Sequence, residues 1–149
     1  MLVDDLKTTL ATSFSFFLKT ANYHWNIEGK DFIQYHPWLG ELYSGVYGTI
    51  DQLAEYIRTL QAYVPASLVR YQELTKVACQ LEVVQPPALF QQLLQDNQTM
   101  IDLYNQVFDV ASTERQQGIA NFAAERLDFH QKYAWQIRST LKSLPGGVV

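Results

Sequence analysis

Apolar residues recur at three- and four-residue steps over four long stretches of the chain, and each stretch reads as an amphipathic helix. From Val3 to about Ile27 the apolar positions are Leu6, Leu10, Phe14, Phe17, Leu18, Ala21 and Trp25, with Asp4, Asp5, Lys7 and Thr8 mostly off the stripe. A second stretch, Ile33 to Ala62, carries Leu39, Leu42, Val46, Ile50, Leu53 and Ile57 at the same spacing, and Gly29 is the stop between the two. The third runs from about Pro87 to Ala111 with Phe90, Leu93, Leu94, Ile101, Tyr104 and Phe108 as inward candidates. The fourth runs from about Thr113 to Leu144 with Phe122, Leu127, Tyr133, Ile137 and Leu141, and ends at Pro145-Gly146-Gly147. Between Tyr63 and Pro87 the pattern shortens; Pro65-Ala66-Ser67 opens a brief connecting helix that ends near Leu74.

Four long helices with a long link between the second and third specify an all-α class and a ferritin-like four-helix bundle with a short extra helix in the crossover. A chain of 149 residues holds one good core and not two, so residues 1–149 are expected to form a single domain. The apolar share, 48% with 13% aromatic, exceeds what a solitary bundle of this size needs to hide, which makes oligomerisation the natural outlet.

Charge narrows the partners. The formal net charge is −4 and neither end carries a Lys/Arg run, so the electrostatic footprint of non-specific nucleic-acid binding is missing and DNA binding is expected to be weak or absent. Charges interrupt every apolar stretch before the ~20 residues that a membrane span requires, so no membrane is expected. Cys79, the single cysteine, has no internal disulfide partner, and Met1 to Leu10 reads as polar and acidic rather than as a signal peptide; a reducing, cytoplasmic setting is the expectation.

Candidate chemistry sits at His24 and His36, near the first helix junction, and at Asp51 and Glu55 in the last turns of the second helix. Imidazole with carboxylate suits borderline transition metals such as ferrous iron, and the lack of a Cys cluster argues against structural zinc. Asp51 and Glu55 are four apart, so both carboxylates project from one helical face and could hold one cation. His36 and Asp51 are fifteen residues apart on one helix, roughly 22 Å at 1.5 Å per residue, so one chain cannot bring them together. If all four residues serve one site, two subunits must pack antiparallel about a two-fold axis, each giving its histidines to the other's carboxylates. The same carboxylates also fit an ordinary solvated helix face, and a surface histidine needs no ligand role; spacing alone does not choose.

The run His24-Trp25-Asn26-Ile27-Glu28-Gly29, followed by Phe32, His36, Leu42-Tyr43 and Asp51-Gln52-Leu53-Ala54-Glu55, resembles the signature of the Dps family, the mini-ferritins of starved or oxidatively stressed microbes. The likeness continues through Pro65 to Val77 and into His130, Lys132 and Trp135, so it covers nearly the whole chain. What it implies is a homododecameric hollow shell that binds ferrous iron at two-fold interfaces, oxidises it with hydrogen peroxide as the usual oxidant, and keeps the ferric product inside. His24 and His36 match the family's two histidine ligands and Asp51 and Glu55 its partner-supplied carboxylates, with Glu55 as the bridge; the same four are the expected catalytic set. Trp25 and Trp135 match tryptophans near the site, and ordinary core packing is the first expectation for them. His130 reads as a packing or hydrogen-bonding residue rather than a ligand, and Cys79 as a small buried hydrophobe.

Two departures from the family pattern change the expectation. Four residues after the second histidine the family usually places an Asp that completes the second iron position; here Gly40 stands there, and Glu41 is turned about 100° away. The second iron should therefore bind weakly, and Gly40→Asp should tighten it. Near Arg126, where the family lines its iron-entry pore with acids, this chain has Gln116 and Asn121, which implies weaker focusing of cations. Both departures sustain an alternative, a cage that retains assembly but little iron oxidation; the four retained ligands oppose it.

Overall fold

The computed structural model describes residues 1–146 and is all-helical over them, with α1 Leu2–Asn26, α2 Phe32–Tyr47, α3 Ile50–Thr59, α4 Leu68–Leu74, α5 Ala88–Thr113 and α6 Gln117–Lys142. Gly147, Val148 and Val149, the end of the uncharged tail, lie outside the described residues. α1 pairs with α2 and α3, and α5 pairs with α6, as two hairpins; α1 also packs on α5, which closes the four-helix bundle. α4 lies in the crossover against α1. The expected second helix is present as two consecutive pieces, α2 and α3, separated at Gly48-Thr49.

The core follows the apolar stripes. Leu6, Leu10, Leu39, Leu42, Leu53, Ile57, Phe90, Leu93, Tyr104, Phe122, Ile137 and Leu141 are all buried in one cluster. Phe16 and Tyr23 complete the inward face of α1, whereas Leu18 and Trp25, expected on that face, are exposed. The seven apolar positions read as one stripe on α1 are therefore two: one faces the bundle, the other faces out. Phe108 on α5 is likewise more than a third exposed.

Polar contacts tie the crossover to the bundle. The buried Lys19 ammonium lies 2.8 Å from Asp96 of α5 and donates to the Ala78 carbonyl at 3.1 Å. Tyr23 donates its hydroxyl to Gln80, and Gln85 bridges the α1–α2 corner by donating to the Asn26 carbonyl and accepting from the Glu28 N–H. The corner turns at Gly29, whose φ of +118° lies where side-chain-bearing residues are strained. This turn sets the end of α1 beside the start of α2, which is what brings the histidines together.

Candidate metal centre

His24 sits in the last turn of α1 and His36 in the second turn of α2. Their rings stack, with centroids 3.7 Å apart and planes 16° from parallel. His36 Nδ1 donates to the His24 carbonyl at 2.7 Å, and His24 Nδ1 donates reciprocally to the His36 carbonyl. A carbonyl can only accept, so each Nδ1 carries a proton, and Nε2 is the ring nitrogen left to face a ligand. The bond to His24 also satisfies a carbonyl in the final turn of α1, one of those a helix C-terminus leaves without a partner. Two rings held by reciprocal backbone bonds, with both Nε2 atoms available, are what a ligand pair for a borderline divalent cation requires.

Aromatic neighbours hold the pair in place. Phe32 stacks on His36 at 4.8 Å, and Tyr43 lies 5.2 Å from the His24 ring. Glu41 is exposed, and Tyr133 of α6, whose phenol pKa is raised chiefly by burial, also feels its charge; Glu41 thus faces α6, as its place on the helix requires.

Asp51 and Glu55 stand one turn apart near the start of α3, both exposed. Among the described residues of one chain, no three His, Cys, Asp or Glu side chains come close enough to hold a metal ion. The histidine pair and the carboxylate pair thus lie apart on the same hairpin. Neither half offers a cation the five or six ligands that ferrous iron prefers.

Three expectations about nearby residues change. Trp25 is 63% exposed and Trp135 is 59% exposed, so neither packs in the core of its own subunit. The tryptophan that does is Trp38, which donates to Gln136 at 2.8 Å and meets Phe90 and Tyr133 edge-on. Cys79 is exposed rather than buried, because it falls in the irregular crossover and not on a helix face. His130 is fully buried and bonds Asn97, a packing residue as expected.

Gly40 also acquires a different meaning. A Cβ added there would lie 2.9 Å from His24 Cε1 and 3.2 Å from its Nδ1. A side chain at this position would therefore require the His24 imidazole to shift. Counting ligands along the sequence could not reveal this, since the contact joins two helices.

The family model for the ferritin-like domain matches residues 3–146. The chain belongs to the ferritin-like family, and its relatives place it with the Dps group. It is 27% identical to the DNA protection during starvation protein of Helicobacter pylori over 137 residues, 91% of this chain and 95% of that one. It is 29% identical to a low temperature-induced protein of Nostoc over 146 residues, 97% of this chain and 82% of the relative. Among solved structures, antigen TpF1 of Treponema pallidum superposes with a TM-score of 0.91 at 26% identity, covering 95% of this chain and 92% of that one. The Dps protein of Vibrio cholerae, described as a ferritin-like diiron-carboxylate protein, superposes with a TM-score of 0.90 at 25% identity, covering 94% and 88%.

Proposed function

We propose that this protein is a ferroxidase and iron store. It binds ferrous iron at sites completed across a two-fold interface, oxidises it with hydrogen peroxide, and keeps the ferric mineral inside a homododecameric shell in the cytoplasm, which protects against oxidative stress. The observation that carries this reading is the separation of the donors: a preorganised imidazole pair at one end of the α1–α2/α3 hairpin and an exposed carboxylate pair toward the other. An antiparallel second copy puts each pair against its complement, giving two imidazoles and two carboxylates per site.

The outer face of the hairpin supports that pairing. Leu18, Trp25, Tyr47, Leu68 and Val69 are exposed large apolar residues, and a groove of about 410 Å³ between α1 and α4 is lined by Phe14, Leu18, Trp25, Leu68, Tyr71 and Cys79. Trp25 follows His24 in the last turn of α1, so this face borders the histidines.

In the reaction, each of two ferrous ions would give one electron to hydrogen peroxide, whose O–O bond breaks to leave two hydroxides. The ferric ions hydrolyse, releasing protons, and join the mineral. His24, His36 and Asp51 bind, and Glu55 bridges. Stopped-flow absorbance after mixing ferrous iron and peroxide should show rapid formation of ferric species in the unmodified protein and its loss in Glu55→Ala with the assembly intact. Equal rates in the two proteins would move the site elsewhere; no oxidation in the unmodified protein would favour the cage that has kept assembly alone.

A further inference from the structure

The bundle carries polar groups at its centre that the metal reading does not use. Ser13 of α1, Asn97 and Tyr104 of α5 and His130 of α6 are buried among the core residues, and the Nε atom of Arg126 is buried with them. Three of these groups end in an atom without a hydrogen-bonding partner among the described residues: Ser13 Oγ, Arg126 Nε and His130 Nε2. Tyr104 is their common neighbour. Its ring stacks on His130 at 5.6 Å. Burial raises its phenol pKa, and the Arg126 charge and the Ser13, Arg126 and Thr49 groups near the hydroxyl oppose that rise. Ser13 Oγ approaches the hydroxyl without meeting hydrogen-bond geometry.

We propose that the centre of the bundle is a binding site for one buried water molecule, which accepts from Arg126 Nε–H, donates to His130 Nε2 and makes its third bond with Ser13 Oγ. The site needs none of the metal-binding candidates and stands whether or not the metal reading does.

The characters of the three atoms select the ligand. Asn97 Nδ2 donates to the His130 carbonyl at 2.8 Å, so Asn97 Oδ1 is the atom that faces His130 Nδ1, also at 2.8 Å, and Nδ1 carries the proton. His130 Nε2 is thereby an acceptor. Arg126 Nε can only donate, whereas a serine hydroxyl can do either. Leaving a buried donor and a buried acceptor without partners in one apolar core is costly. Arg126 and His130 are one turn apart on α6 and share a face, yet each is held where it is. Arg126 Nη2 is tied to the Gly45 carbonyl at 3.2 Å, and its guanidinium lies 4.0 Å over the Phe129 ring. His130 is held by both Asn97 bonds and packed edge-on by Phe16 and Phe129. Phe16 is one turn from Ser13 on α1, which sets Ser13 at the same level of the bundle. One water satisfies all three atoms, and about three bonds to otherwise unpartnered groups is what a buried water makes. An anion would set its charge against the Nε2 lone pair, and a cation would face the guanidinium. Water matches both neighbours, and it joins α1 to α6 beside the α2–α3 joint that Arg126 also holds.

A high-resolution crystal structure of the full chain, grown at neutral pH, should show one ordered water in each subunit within about 2.7–3.2 Å of both Arg126 Nε and His130 Nε2. Absence of density at that position, or a direct bond from Arg126 Nε to His130, would overturn the proposal. Crystals soaked in bromide should give no anomalous peak there; a peak would identify an anion site and overturn it too. Solid-state NMR of nitrogen-labelled protein supplies a readout that needs no single crystal. Magnetisation transferred from water protons should build up faster at His130 Nε2 than at the backbone nitrogens of the apolar core around it, and equal build-up would refute a water at this nitrogen.

Discussion

The three histidines carry two different chemistries. His24 and His36 are partly exposed at a helix corner, with each Nδ1 bonded to a backbone carbonyl and only Nε2 left to face a ligand. His130 is buried between Phe16, Tyr104 and Phe129; its Nδ1 donates to Asn97 Oδ1 at 2.8 Å and its Nε2 has no protein partner. Desolvation, helped by the nearby positive Arg126, lowers its pKa from 6.5 to about 3. The folded state thus keeps this ring neutral, while the unfolded chain binds a proton as pH falls through about 6.5. The stability this neutrality confers is complete above that value and is lost progressively below it, toward pH 3, by up to about 1.4 kcal/mol per pH unit. Thermal midpoints at pH 7 and pH 5 should fall further in the unmodified protein than in His130→Gln, which has no proton to bind; equal drops would mean that His130 is not the titrating group. His24 and His36 are common to both proteins and cancel.

At the scale of elements, α2 and α3 behave as one helix with a joint in it. The Thr49 N–H donates three residues back to Val46, and the Gly45 carbonyl accepts from Arg126 Nη2 of α6 at 3.2 Å. Arg126 lies over the Phe129 ring, and Phe129 fills the space where a Gly45 Cβ would be, at 2.7 Å. Gly45→Ala should therefore destabilise the protein by about 1–3 kcal/mol through overpacking, against the ~1 kcal/mol that alanine gains over glycine in a helix. A raised denaturation midpoint would show that Phe129 yields easily. The helices themselves were legible because the 3.6-residue period is written locally in Leu39, Leu42, Val46, Leu53 and Ile57, all of which are buried. The joint was not, because its cause lies eighty-one residues away at Arg126. The candidate site divides in the same way. The four ligand candidates stood out by residue type and spacing, whereas the reciprocal histidine bonds and the crowding at Gly40 depend on how α1 meets α2. The exposure of Trp25 was hidden for a further reason: an apolar residue at helical spacing carries no mark of whether its own bundle or a second copy covers it.

At the scale of the whole molecule, the proposed assembly would rest on that second apolar face. Burial of Leu18, Trp25, Tyr47, Leu68 and Val69 on each of two subunits, at about 25 cal/mol per Å² of apolar surface, outweighs a few coordination bonds. Size-exclusion chromatography in chelator should show an intact shell, and a monomer alone would mean that metal holds it together. The proposed shell should bind DNA weakly and lose that binding as salt rises, since 15 acidic against 11 basic residues give a formal charge of −4 and leave few cations to displace counterions from phosphate. A tight gel shift at physiological salt would contradict this.

The sharing of each site between subunits can be tested without seeing the interface. His24→Ala subunits lack an imidazole but keep both carboxylates, and Asp51→Ala subunits lack a carboxylate but keep both imidazoles, so shells made of either one alone should be inactive. In a mixed two-fold pair, one site receives both defects and the other receives neither, because its histidines come from the Asp51→Ala chain and its carboxylates from the His24→Ala chain. Random co-assembly at equal amounts makes half of the pairs mixed, so roughly a quarter of all sites should recover. Rapid iron oxidation should return to about that fraction of the unmodified rate per subunit, and it should rise and fall with the mixing ratio, peaking at equality. A site contained within one chain predicts no recovery at any ratio. Mass spectrometry of the intact shells establishes that subunits have mixed, so an absence of recovery in mixed shells would place the donors within a single subunit, against the separation of the two pairs along its hairpin.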